Sequence, residues 1–174
     1  MWLLSPHPFH QKDITMRILT LIAAAALGSL VALSAYAHEF KVGDLEISHP
    51  WTRATPHGAK TAAGYLKVTN HGSTPDRLIA ASVEFAEVTQ IHSMTMDGDV
   101  MKMKELTDGL EIPAGTTVEL KPHSFHIMFI KMTEQLAVGQ TVKGELVFEK
   151  AGKVEIEFEV EAADAGGEMN MDMN

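Results

Sequence analysis

Three histidines and six methionines fall between Ile91 and Met132, as His92-Ser93-Met94-Thr95-Met96, Met101-Lys102-Met103, His123, His126-Ile127-Met128 and Met132. Imidazole and thioether together suit few metals other than copper, and the thioether favours Cu(I). A thioether has no proton to lose, so it holds a soft ion without the pH dependence of a thiolate. Zinc would more usually recruit cysteine, further histidine or a carboxylate. The ordinary use of methionine is to fill a core. Here Met94, Met96, Met101 and Met103 are interleaved with Ser93, Thr95, Lys102 and Lys104, whereas a fully buried strand pair would favour Val, Ile and Leu.

These side chains need strands to bring them together. Asp97-Gly98 is a two-residue type I′ hairpin signal. A turn there sets His92 opposite Met103 and Met94 opposite Met101, with Cβ atoms about 4.5–5.5 Å apart. His92, Met94 and Met96 then share one face of the first strand, and Met101 and Met103 one face of the second. His126 and Met128, two apart, also point the same way, leaving Phe125, Ile127 and Phe129 for the core. A strand carrying His126-x-Met128 beside the hairpin would complete a two-nitrogen, two-sulfur site. Of Met94, Met96, Met101 and Met103, those that the ion does not use are auxiliary thioethers or packing around it.

Elsewhere the pattern is β. Val154, Ile156, Phe158 and Val160 alternate with four glutamates, and Leu66 and Val68, Val118 and Leu120, and Leu146 and Phe148 repeat the period of two. Turn signals recur at Asn70-His71-Gly72, Asp108-Gly109, Pro113-Ala114-Gly115, Gly139 and Lys150-Ala151-Gly152. This spacing predicts an all-β sandwich or barrel of antiparallel strands. Residues 38–161 are the expected domain, and 162–174, with Gly166-Gly167 and Met169, Met171 and Met173, read as a disordered tail.

Residues 1–37 read as a leader. Met16-Arg17, the apolar run Ile18 to Leu33 and Ala35-Tyr36-Ala37 form a secretory signal with cleavage after Ala37. Met16 is then the expected initiator, and residues 1–15 an upstream extension. The chain is then expected to be exported, with no stable membrane insertion after cleavage. The chain has a net charge of −9 and no cysteine. It has no basic face for nucleic acid, no disulfide staple and no thiolate for blue-copper electron transfer. Ser93 beside His92 lacks an orienting acid and an oxyanion loop, and no phosphate-binding glycine loop is present. A non-enzymatic binding protein, acting as a monomer, is the expected class.

With these residues assembled, the chain resembles the periplasmic copper chaperone family PCu(A)C. The family motif is a histidine, ten residues, a methionine, just over twenty residues and a His-x-Met. Here His92 and Met103 are separated by 10 residues, and 22 more lead to His126-Ile127-Met128. Gly43-Asp44-Leu45, His49-Pro50-Trp51-Thr52-Arg53-Ala54-Thr55-Pro56, Gly64-Tyr65 and Glu111-Ile112-Pro113-Ala114-Gly115 are similar too. The resemblance spans roughly Phe40 to Val147. It implies a cupredoxin-like Greek-key β-barrel binding Cu(I) through His92, Met103, His126 and Met128. It also implies delivery of copper to the dinuclear centre in the copper-containing subunit of a cytochrome c oxidase, or more general copper handling, in which a second copper chaperone can take part. Family members often end in a His/Met-rich extension for Cu(II). This tail has methionine but no histidine, and so departs from that pattern.

Two readings compete with delivery. One is a copper-storage or resistance protein with no dedicated acceptor. The other is a Cu(II) histidine brace made by the amine and imidazole of His38 at the mature N-terminus, which needs a second positioned histidine. His49, His57 and His71 sit in turn-like sequence, and His123 reads as a loop-rim residue or an auxiliary ligand. Trp51 and Arg53 read as a packed strand edge or a docking surface.

Overall fold

Wherever the sequence alternates apolar and polar residues, the chain forms strands. A computed structural model describes residues 39–98 and 100–165. The leader, His38 and the methionines of the tail lie outside the described residues. Eleven strands follow in order: β1 (Glu39–Val42), β2 (Leu45–Arg53), β3 (Thr61–Asn70), β4 (Asp76–Val83), β5 (Ala86–Asp97), β6 (Val100–Glu105), β7 (Leu110–Ile112), β8 (Thr117–Leu120), β9 (His126–Met132), β10 (Thr141–Phe148) and β11 (Gly152–Glu161). No helix occurs among the described residues, and none is therefore long and apolar enough to cross a membrane. The all-β expectation holds.

The strands are hydrogen-bonded in the order β6-β5-β9-β3-β2-β11-β10-β4-β7, with β1 added to β2 and β8 to β3. Strand β3 serves two neighbours along one edge: Thr61–Gly64 pair with β9 and Leu66–Thr69 with β8. The sequence led us to expect antiparallel pairing, and one pair departs from it. The end of β11, Glu159–Glu161, runs parallel to Trp51–Arg53 of β2. Strand β11 already has its hairpin partner β10 on the other edge. The edge left open meets the early strand β2 in whichever direction the closing connection delivers it. Between Ser48 and Trp51 the β2–β3 register shifts. Pro50 has no N–H to give the ladder, and His49 adopts φ 50°.

The core takes the inward residue of each alternation: Ile47, Leu66, Val68, Leu78, Ile127, Phe129, Leu146, Phe148, Ile156, Phe158 and Val160 are all buried. Phe129 of β9 meets Phe158 edge-on at 5.5 Å and Phe85 at 5.0 Å. Gly64 makes room for this cluster, since a Cβ there would stand 2.6 Å from Phe129 Cζ. Asp76 fastens β4 to the β10–β11 turn by accepting backbone N–H bonds from Arg77, Lys150 and Ala151 at 2.7, 3.0 and 2.9 Å. Burial would raise its carboxyl, but these donors outweigh burial and hold it below the ordinary aspartate value.

The stretch 162–165, expected to begin the tail, forms a turn whose Ala165 carbonyl accepts from Arg53 Nε at 2.9 Å.

Candidate metal centre

Strands β5, β6 and β9 lie side by side at one end of the strand order. His92 of β5 is directly opposite His126 of β9, with ring centroids 5.7 Å apart and planes at 65°. The two histidines expected to share a site are therefore brought together. The β5–β6 register differs from the one expected from an Asp97-Gly98 turn. His92 faces Glu105, Met94 faces Met103, and Met96 faces Met101. Asp97 pairs with Val100, so the turn begins at Gly98, which has φ 62°. Glycine as the first turn residue supplies the positive φ that both two-residue hairpin turns require there. The shift is by two residues, so every side chain keeps its face.

The correction changes neighbours. Met103 is diagonal to His92 rather than opposite it. Met128, opposite Gln90, is diagonal to His92 on the other side. Diagonal Cβ atoms are about 7–8 Å apart, within reach of long side chains, and methionine has three rotatable bonds to cover the gap. Met103 and Met128 are not register neighbours. They meet only by leaning from opposite sides towards His92.

Burial differs among the donors, with His92 half-buried. His126 is 3% exposed, whereas Met96, Met101 and Met103 are 61%, 48% and 49% exposed. The core-filling explanation therefore fails for these three methionines; Met132 is the one that packs inside, as part of the apolar cluster. Met94 and Met128 are half-buried.

The hydrogen bonds settle which ring nitrogen is available on each histidine. Ser124 carbonyl oxygen lies 3.0 Å from His126 Nδ1. A carbonyl only accepts, so Nδ1 carries the proton and Nε2 keeps its lone pair. Gln90 donates from Nε2 to Glu105 Oε2 at 3.0 Å, which turns its amide oxygen towards His92 Nε2 at 3.1 Å. His92 Nε2 thus donates, and its Nδ1 bears the free lone pair. That Nδ1 is buried and has no hydrogen-bond partner. An orphaned buried acceptor normally costs about 1–3 kcal/mol, and a metal ion is the ligand an imidazole lone pair suits best. Burial first, and then the neighbouring His126, push the His92 imidazole below its ordinary pKa, against a smaller opposing pull from Glu105. The neutral, ligating form is favoured.

Sequence reasoning missed Gln90, Glu105 and the Ser124 carbonyl. Gln90 precedes His92 by two and Glu105 follows Met103 by two, so the alternation already placed both on this face.

The remaining candidates lie elsewhere. His123, at φ 63°, is exposed and lines a groove with His49, Trp51, Lys67 and Lys121. His49 Nε2 lies 3.1 Å from Glu161, and His71 Nε2 3.4 Å from Glu46. His57 is exposed. Trp51 packs at 4.5 Å from Tyr65, whose ring Arg53 approaches at 6.0 Å, and the segment is paired with β3 on one side and β11 on the other, so it lies inside the sheet rather than at the strand edge expected. Burial raises the Tyr65 phenol, and Arg53 partly offsets that rise. Among the described residues, no three His, Asp or Glu side chains gather closely enough to hold a metal. The donors on the β5–β6–β9 face are a histidine pair and thioethers.

The chain is similar to several known proteins. The family described as "Putative lipoprotein LpqE-like" matches residues 45–160. A protein of Leifsonia xyli subsp. xyli, described as a "Putative lipoprotein", is 31% identical over 104 residues, covering 60% of this chain and 61% of its own length. The apo PCuAC domain from PmoF1 is 33% identical with a TM-score of 0.62, covering 72% of this chain and 99% of that domain. The copper-bound PCuAC domain from PmoF2 is also 33% identical with a TM-score of 0.62, over 72% of this chain and 98% of that domain. The solution structure of CuI-DR1885 from Deinococcus radiodurans is 26% identical with a TM-score of 0.54, covering 75% and 85% respectively. The chain belongs to the LpqE-like family, and its fold is the cupredoxin-like fold of the PCuAC domains.

Proposed function

We propose that this protein is an exported Cu(I) carrier that releases its ion by ligand exchange. The observation that carries the reading is the His92–His126 pair: two neighbouring imidazoles, each with one nitrogen committed to a hydrogen bond, and the other nitrogen of His92 buried without a partner. Met103 and Met128 supply the sulfurs that favour Cu(I) over Cu(II) or zinc. The likeness to a copper-bound PCuAC domain and to a Cu(I) form of DR1885 supports copper as the cargo. The lipoprotein description of the family supports export, with the periplasm as the working compartment and residues 1–37 as the leader.

Transfer needs no redox step. An acceptor's ligand displaces one thioether, the ion is shared briefly, and the remaining donors leave in turn. The proposed acceptor is the copper-containing subunit of a respiratory cytochrome c oxidase, and the protein itself catalyses no covalent chemistry.

The test is a competition titration with Cu(I) under reducing conditions, using His92→Ala, His126→Ala, Met103→Leu and Met128→Leu singly. Each histidine variant should lose at least about a hundredfold in affinity, and each methionine variant about tenfold. Wild-type affinity in both histidine variants refutes the site. Spectroscopic transfer to an apo oxidase copper domain tests delivery, and retention of the ion there would instead favour storage.

A further inference from the structure

The β5–β6 hairpin carries more sulfur than a two-nitrogen, two-sulfur site uses. Met96 lies directly opposite Met101, one row nearer the turn than the Met94–Met103 pair. Opposed residues have Cβ atoms about 4.5–5.5 Å apart, and Met94 and Met101 are diagonal at about 7–8 Å. All four side chains share one face, the face that carries His92 two residues further on. Met96, Met101 and Met103 are exposed, and Val100 beside the turn is 61% exposed.

Packing does not explain this. Every residue of β6 is exposed, and β6 ends the strand order. Such a strand is ordinarily protected by charge, as Lys102 and Lys104 do on the opposite face of this one. The face beneath the methionines instead presents a cluster of flexible, polarisable apolar side chains to water. A cluster of three thioethers is a complete donor set for a soft monovalent ion.

We infer that Met94, Met96 and Met101 form a second, thioether-only site for Cu(I), separate from the histidine pair and contiguous with it through Met103. The inference rests on the proposed copper function for its physiological ion, but its geometry stands on the hairpin register alone. With no nitrogen donor it is the weaker and more labile of the two sites, as suits entry or exit of the ion. Met103 borders both sites, so an ion can pass inward by exchanging one sulfur at a time.

The experiment uses the full chain with Met169→Leu, Met171→Leu and Met173→Leu, so that tail sulfur does not contribute. Methyl-labelled methionine is followed by NMR while Cu(I) is added against a bicinchoninate competitor. Two equivalents should bind, the second shifting the methyl signals of Met96 and Met101. Adding Met96→Leu and Met101→Leu should abolish the second equivalent and leave the first, with the amide spectrum showing the fold unchanged. In His92→Ala/His126→Ala the first equivalent should be lost while the hairpin still binds one ion. A second equivalent that persists in the Met96→Leu/Met101→Leu variant, or Met96 and Met101 methyls that never shift, overturns the inference. Loss of both equivalents in the histidine variant also overturns it, because the hairpin would then belong to one shared site. If the histidine variant binds both equivalents as the parent does, the proposed function fails while the hairpin site stands.

Discussion

Gln90 touches no proposed metal ligand atom, yet its replacement should weaken Cu(I) binding. Its amide is fixed at one end by donation to Glu105, 3.0 Å away, and at the other it accepts from His92 Nε2 at 3.1 Å. In Gln90→Leu both bonds disappear. The His92 ring is then free to place its proton on Nδ1, the atom that must be bare to ligate, and to turn away from His126. Loss of such an orienting partner typically lowers metal affinity about 10–100-fold. Gln90 is half-buried, so water replaces part of the lost acceptor and the expected loss is near the lower end, about tenfold or 1.4 kcal/mol. The fold should survive, since one partly exposed neutral hydrogen bond contributes only about 1 kcal/mol. Two measurements check this: Cu(I) affinity by competition, and the apo ring nitrogen shifts, which report the tautomer. Wild-type His92 should show protonated Nε2, and the variant a mixture. Glu105→Leu, which loosens the amide but leaves its oxygen in place, should lose less. Unchanged affinity in Gln90→Leu, with His92 still protonated at Nε2, would refute the orienting role.

Two further outcomes follow from the structure. In the apo protein the His92 ring should titrate below the ordinary histidine value of about 6.5, because burial and His126 oppose its charge. Its folded pKa lies below the unfolded one, so its contribution to stability is present above that window and falls away as pH drops through it. An NMR midpoint at or above 6.5 contradicts this, and His126→Ala should raise the midpoint without restoring it fully, because burial remains. In Gly64→Ala the new methyl must displace the Phe129 ring, 2.6 Å away, and overpacking of this kind costs about 1–3 kcal/mol. Denaturant unfolding measures the loss. Phe129→Leu in the same chain should recover part of it, and a Gly64→Ala midpoint equal to the wild type refutes the contact.

Faces were legible in the sequence where registers were not. The Val154–Val160 alternation became β11 with Ile156, Phe158 and Val160 buried, because period two is a property of the strand itself. The same parity put His92, Met94 and Met96 on one face and Phe129 on the other. Pairing depends instead on where a turn closes. Asp97-Gly98 and the dipeptide that begins at Gly98 both offer good turn chemistry, and the turn begins at Gly98. The choice between them is a small difference in local energy that composition does not reveal. The parallel β2–β11 pairing was illegible for a similar reason. It joins segments about a hundred residues apart, and nothing within either segment encodes direction. Gln90 is illegible in the sequence because an amide two residues from a histidine is unremarkable until Glu105 is placed opposite that histidine, within reach of the amide.

The placement of His126 has a consequence for how the protein can be tuned. Its strand is anchored from below by Ile127 and Phe129, both fully buried, while Met103 sits on an exposed strand at the end of the sheet. The imidazoles therefore inherit the rigidity of the core, and the hairpin thioethers inherit the freedom of an edge. Substitutions in the core-facing residues of β9 would reset how tightly the ion is held. Substitutions at the turn end of the hairpin, at Met96 and Met101, would reset how quickly it is given up, leaving the equilibrium far less altered. Affinity and residence time, which a single rigid cage would lock together, become separately adjustable quantities.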